Sequence, residues 1–223
     1  MRVDNSTFVG NSAVGYGGAV TLFNSLSSAS PSTIINSTLS GNHATSGGAV
    51  NNHVGDLYIK NSTLVGNTAE FGAALIARSS YPYGPTPYPR TFLAHTIITH
   101  LNGSGAGALC EDEHFRYTGG AVSGISSNQF NLRGDDSCRL FAAGDILFAD
   151  PQLGPLAQNG GPTLTHAPLL SSPAVNRGSL LTSQNDQAPD CAPIDQRGVV
   201  RPQITATGQT PQCDIGAIEL QGP

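Results

Sequence analysis

Apolar and polar residues alternate in short runs along the first half of the chain. In Leu57-Tyr58-Ile59-Lys60 and Ser62-Thr63-Leu64-Val65 successive side chains fall on opposite faces, β-branched residues are frequent, and Gly and Asn break the runs. This pattern predicts short β-strands rather than helices.

The runs belong to a phrase that occurs three times: Asn5-Ser6-Thr7-Phe8-Val9-Gly10-Asn11, Asn36-Ser37-Thr38-Leu39-Ser40-Gly41-Asn42 and Asn61-Ser62-Thr63-Leu64-Val65-Gly66-Asn67. Each copy is followed by a second phrase, Gly17-Gly18-Ala19-Val20, Gly47-Gly48-Ala49-Val50 and Gly72-Ala73-Ala74-Leu75. The copies start about 31 and then about 25 residues apart, a period at which stacked repeats bury apolar faces against one another. About 25 residues at roughly 3.3 Å each make about 80 Å of chain, enough for one coil of three short strands. Coils lying parallel and in register, about 4.8 Å apart, form a right-handed parallel β-helix, so the expected fold is an all-β solenoid with an irregular, disulfide-stapled C-terminal segment. A β-sandwich also has many short strands but gives no reason for one phrase to recur at coil spacing.

In this fold Phe8, Leu39 and Leu64 form an inward apolar column, and Thr7, Thr38 and Thr63 an outward one. Asn5, Asn36 and Asn61, with Asn11, Asn42 and Asn67, stand at corners, where amides can bond turn backbone and neighbouring rungs. The Gly-Gly-Ala steps provide bends and a backbone approach that a Cβ would block. The three Asn-Ser-Thr sites are also glycosylation sequons, although the repeat already accounts for them.

The paired phrases resemble the FxxN and GGA[ILV] repeats of polymorphic outer-membrane adhesins, whose passenger regions are β-helices. A later series resembles the bacterial choice-of-anchor Q domain: Asp150-Pro151-Gln152-Leu153-Gly154-Pro155-Leu156, Asn159-Gly160-Gly161-Pro162-Thr163-Leu164-Thr165-His166, Ser172-Pro173-Ala174-Val175, Cys191, Asp195-Gln196-Arg197-Gly198, Arg201-Pro202 and Cys213-Asp214-Ile215-Gly216-Ala217-Ile218-Glu219. The resemblances imply a secreted or surface-displayed bacterial protein and bring no agreed catalytic motif. The expected divisions are coils over 1–109, an irregular disulfide-containing connection or terminal coil over 110–143 and the anchor-Q-like segment over 144–223.

Charged residues make up 11% of the chain, against roughly 25% in an average domain, and Gly, Ser, Thr and Asn take their place, as turn-rich β architecture requires. Ten basic and fifteen acidic residues without a basic run argue against nucleic acid. No apolar stretch is long enough to span a bilayer. Met1-Arg2-Val3-Asp4 leads straight into a repeat, so the expectation is that a signal sequence and earlier coils precede it and that an anchor follows Pro223. Four cysteines in an exported chain suggest two disulfides out of three possible pairings. Cys110 with Cys138 and Cys191 with Cys213 are preferred because each bridge then stays within one segment and the second brackets the anchor-Q signature. Each would contribute about 3–4 kcal/mol in the chain-entropy model.

Candidate chemistry lies where the coils differ. The segments that follow the Gly-Ala phrases insert Asn24 through Ser32, Asn51 through Asp56 and Arg78 through Arg90, and in a solenoid all three emerge from one edge. Tyr81, Tyr83 and Tyr88, stiffened by prolines, are candidates for stacking on a sugar or peptide, with Arg78 and Arg90 for carboxylate or sulfate. The competing reading makes these tyrosines a lid on the coil. His53 and Asp56 are a candidate general acid/base pair on the adjacent loop. Glu111, Glu113 and His114 are candidate ligands for calcium or zinc, although consecutive acids cannot all face one point and an exposed loop is the plainer reading. His95 and His100 flank a degenerate fourth strand as poor co-ligands, and His166 is expected to be structural.

No cofactor is required by these readings. The first function class is a noncatalytic module for adhesion or glycan binding. The second is a polysaccharide-directed hydrolase or lyase on the loop-bearing edge, with or without metal assistance. Outward strand positions carry Thr, Val and Ser rather than rows of carboxylates, which favours binding. Ice binding through Thr7, Thr38 and Thr63 would need a longer flat array.

Overall fold

The computed structural model describes residues 1–23, 30–78, 89–101, 107–113, 124–188, 190–203 and 210–221. Three all-parallel sheets are built by the chain returning beside itself. The first contains β1 (Arg2–Asp4), β4 (Ser32–Ile35), β7 (Asp56–Lys60), β10 (Arg90–Ala94) and β13 (Ile125–Ser127). The second contains β2 (Thr7–Val9), β5 (Thr38–Ser40), β8 (Thr63–Val65), β11 (Ile97–Thr99), β14 (Leu132–Arg133) and β15 (Ile146–Leu147). The third contains β3 (Val20–Leu22), β6 (Val50–Asn52), β9 (Leu75–Ala77) and β12 (Cys110–Asp112). An antiparallel pair, β16 (Leu153–Ala157) with β17 (Thr165–Pro168), follows them. Parallel pairing continues past residue 109, through β12 to β15, as a terminal coil there would require.

The repeated phrase sets the register. Phe8 lies opposite Leu39, Leu39 opposite Leu64, and Leu64 opposite Ile98. Leu39, Leu64 and Ile98 are fully buried in the main apolar cluster, with Phe8 packed against its end. At the corners the two asparagine rows work differently. In the Asn11 row the backbone nitrogen and Nδ2 of Asn11 both donate to Asn42 Oδ1, at 3.0 and 2.9 Å. Asn42 repeats this pattern on Asn67 Oδ1, at 2.9 Å for both bonds. The Asn5 row acts through its backbone: Asn5, Asn36, Asn61 and His95 adopt φ of 46°, 47°, 46° and 51°, a left-handed corner that asparagine tolerates better than most side chains. A Cβ on Gly48 would come within 2.1 Å of the Ala73 carbonyl oxygen, so only glycine lets the next rung approach.

The threonine column faces away from the core but not toward water. Thr38 and Thr63 are buried because the C-terminal segment lies over the second sheet. Thr38 Oγ1 donates to Gln196 Oε1 at 2.7 Å, Gln196 Nε2 donates to Thr7 Oγ1 at 2.9 Å, and the Ala217 nitrogen donates to Thr63 Oγ1 at 3.0 Å. This column is therefore the seat of the C-terminal segment and offers no open array to ice.

Residues of the Asp195-to-Glu219 series hold that segment together. The Asp195 carboxylate accepts from the nitrogens of Arg197, Val199 and Glu219 and pairs with the Arg197 guanidinium at 2.8 Å. Arg201 pairs with Glu219 at 2.9 Å and also donates to the Asp214 and Gly216 carbonyls. Asp195, Arg201 and Glu219 are buried and Arg197 is partly so, and partners on every side are needed to offset desolvation. Two disulfides, Cys110–Cys138 and Cys191–Cys213, close the later half, with Cα separations of 4.8 and 6.5 Å. No helix among the described residues is long and apolar enough to cross a membrane.

Two predictions follow from this packing. Leu39→Asp places an unpaired charge in a close-packed column and should cost more than about 4 kcal/mol in urea unfolding, whereas a loss under 1 kcal/mol would contradict the register. His95 stands in the asparagine row, and its Nε2 accepts from the Ser179 nitrogen at 2.9 Å, as Asn61 Oδ1 accepts from Ala192. Burial, with Arg201 and Lys60 nearby, pushes its pKa down to about 3. The folded state therefore keeps it neutral while the unfolded chain protonates it near 6.5, so the stability it contributes is full above that pH and lost as pH falls toward 3. Asp214 has the opposite sign: burial and Glu219 raise its pKa to about 7, so its cost grows as pH rises toward that value. His95→Asn keeps Asp214 and the left-handed corner. Between pH 6.5 and 4.5 the native protein should lose more than about 1 kcal/mol relative to this variant, as urea unfolding would show.

Candidate functional site

The register also constructs the loop-bearing edge. Leu22, Asn52, Ala77 and Asp112 are mutual partners at the ends of β3, β6, β9 and β12. The residues that follow them, Phe23, His53, Arg78 and Glu113, therefore stand one above another where the chain leaves the third sheet. Contacts run along this row. The Phe23 and His53 rings meet edge-on with centroids 5.3 Å apart, and Arg78 Nε lies 3.2 Å from Glu113 Oε1. Tyr16 joins from the side, edge-on to His53 at 5.0 Å and beneath the Arg78 guanidinium at 5.5 Å. Phe23 is 65% exposed and Tyr16 44%, so the cluster keeps an apolar surface open to solvent beside a cation. His53 is held below its usual pKa, first by burial and then by Arg78. Its imidazole is thus neutral at physiological pH.

Beyond the edge, where the first sheet begins, Arg90 lies opposite Asp56 and Phe92 opposite Tyr58. Arg90 holds the Asp56 carboxylate through Nε at 2.8 Å and Nη2 at 2.6 Å. The Tyr58 and Phe92 rings stack with centroids 4.8 Å apart, and Arg90 lies over Phe92. The structure thus gives Asp56 to Arg90 rather than to His53, and the expected acid/base pair is replaced by a cross-strand ion pair and an aromatic row. Arg78 and Arg90, candidates for capturing an anion, are each engaged with a carboxylate.

Tyr81, Tyr83, Tyr88 and His114 lie outside the described residues. Of the proposed metal ligands, Glu113 is drawn to Arg78, and Glu111 lies opposite Ile76 on β12. Between them Asp112 Oδ2 accepts from the Gly124 and Ile125 nitrogens, at 2.8 and 3.2 Å. No group of three His, Cys, Asp or Glu suited to a metal occurs among the described residues.

No family profile, curated protein or solved structure matches this chain.

A second concave region lies on the far side of the second sheet, where β16 and β17 stand off from β5, β8 and β11. It is a groove of about 760 Å³ with Val65, Leu101, Leu153, Leu156 and Leu169 among its walls and Ser40 and His166 at its side. His166 is buried there, its Nε2 3.0 Å from Ser40 Oγ and its Nδ1 2.8 Å from the Gly154 carbonyl oxygen. Sequence reasoning missed this juxtaposition because the two residues are 126 positions apart. It also missed Tyr16 and Phe23, although aligning the Gly-Gly-Ala-Val phrases brings Phe23 into column with His53 and Arg78.

The edge geometry makes a prediction for His53. Its pKa, followed by NMR titration, should lie below 6.5 and rise in Arg78→Ala, which removes the nearby cation. It should not change in Asp56→Asn. A fall on Asp56→Asn would restore the acid/base pairing that the Arg90 contact replaces.

Proposed function

We propose that the chain is a right-handed parallel β-helix of the secreted or cell-surface kind, and that it binds a glycan or other cell-surface ligand at its loop-bearing edge without transforming it. The observation that carries this reading is the row Phe23, His53, Arg78 with Tyr16 alongside. Aromatic side chains fixed by strand register offer contact area at low entropic cost, and the neighbouring neutral imidazole and guanidinium add polar groups. The adhesin-like repeats and the anchor-Q-like series support the same setting, as do two disulfides, which persist in oxidising compartments. Because Arg78 and Arg90 already face carboxylates, uncharged sugars suit the edge better than sulfated or acidic ones.

The alternative is a polysaccharide hydrolase or lyase on the same edge. Such chemistry calls for a carboxylate or base poised at the ligand, and Asp56 and Glu113 are instead engaged by arginines. A glycan array combined with a panel of hydrolase and lyase substrates, run with and without EDTA, separates the two. Binding that survives EDTA without turnover is expected, turnover at this edge would favour the enzyme, and no binding to any glycan would overturn the proposal. Tyr16→Ala with Phe23→Ala should abolish the binding while the melting temperature moves by less than about 3 °C, since both rings are substantially exposed.

A further inference from the structure

We propose that Ser40 is a nucleophile activated by His166, and that the groove beside them accepts short apolar acyl esters. The hydrogen bonds fix the roles. The Gly154 carbonyl can only accept, so His166 Nδ1 carries the proton, and Nε2 presents its lone pair to the Ser40 hydroxyl. A nucleophile within hydrogen-bond reach of a base that is oriented by a third group is the arrangement that activates a serine. Burial holds the imidazole below its ordinary pKa although the Gly154 bond opposes this, so the base form is present at neutral pH.

The surroundings decide the substrate class. Walls of Val65, Leu101, Leu153, Leu156 and Leu169 suit a short hydrocarbon acyl chain better than a sugar. This site is independent of the glycan-binding edge, which lies where the third sheet gives way to the first.

In the proposed reaction Ser40 Oγ adds to the ester carbonyl carbon while its proton passes to His166 Nε2. Collapse of the tetrahedral intermediate breaks the bond to the alcohol oxygen, which leaves with that proton, and the acyl group stays on Ser40. Water then adds to the acyl carbon, gives a proton to Nε2, and displaces Ser40 Oγ, which recovers the proton as the carboxylic acid departs. General-base assistance of this kind contributes on the order of 10²–10⁴-fold.

The test uses the native chain with p-nitrophenyl butyrate as substrate and a fluorophosphonate as covalent probe, whose phosphorus Ser40 would attack with loss of fluoride. A single adduct on the peptide containing Ser40 is expected, forming at a rate that rises with pH to a plateau with a midpoint below 6.5. Ser40→Ala should give no adduct, and His166→Asn should slow labelling by at least about 100-fold. The native protein alone keeps the proposal falsifiable should a variant misfold. No adduct, an adduct on another residue, or a rate still climbing through pH 9 would overturn it and reduce the pair to a tie between the β16–β17 hairpin and β5.

Discussion

The Asn42 amide oxygen accepts from the backbone and side-chain nitrogens of Asn11, and its Nδ2 donates to Asn67 Oδ1 and the Phe8 carbonyl. A slip of one residue would break all of these at once and turn Leu39 from the core toward the opposite face. Each rung is thereby held to the next by a side chain that fits only one alignment. The other features inherit that alignment: the Phe8–Leu39–Leu64–Ile98 column, the threonine seat, the row Phe23–His53–Arg78–Glu113 and the Arg90–Asp56 pair.

The sheets differ in what lies over them. The C-terminal segment covers much of the second sheet through Gln196 and Ala217, and through backbone bonds from Ala192 and Ser179 onto Asn61 and His95. The Asp195–Arg197 and Arg201–Glu219 ion pairs tie parts of this cover together. Where the β16–β17 hairpin stands off from the sheet, the groove remains, and on the opposite side the loop-bearing edge keeps its aromatic residues exposed. The proposed binding edge and the proposed reactive groove therefore lie on different parts of one scaffold.

Local repetition was readable from the residues themselves. The strand type, the order in which Phe8, Leu39 and Leu64 stack, and the cysteine pairs chosen because each lies within one segment all involve neighbours in sequence or in the repeat. Contacts made by the C-terminal segment were not readable. Thr38 and Gln196 are 158 positions apart, and nothing in the repeat says that a later segment will lie over its outer face. The same distance hid Ser40 from His166. Proximity in sequence puts Asp56 beside His53, whereas β7 and β10 bring Arg90 directly opposite it, a contact that sequence distance hides. His95 could have been placed earlier: His95-Thr96-Ile97 aligns with Asn61-Ser62-Thr63, and its left-handed corner follows from that alignment.

Urea unfolding of Asn42→Ala tests the central claim, that amide rows hold the parallel rungs in register. The substitution removes four side-chain hydrogen bonds at a fully buried position, while the Asn42 backbone nitrogen keeps its bond to Asn67 Oδ1. At about 1 kcal/mol for each bond, a loss of more than about 3 kcal/mol is expected. A loss below about 1 kcal/mol, with cooperative unfolding retained, would contradict it.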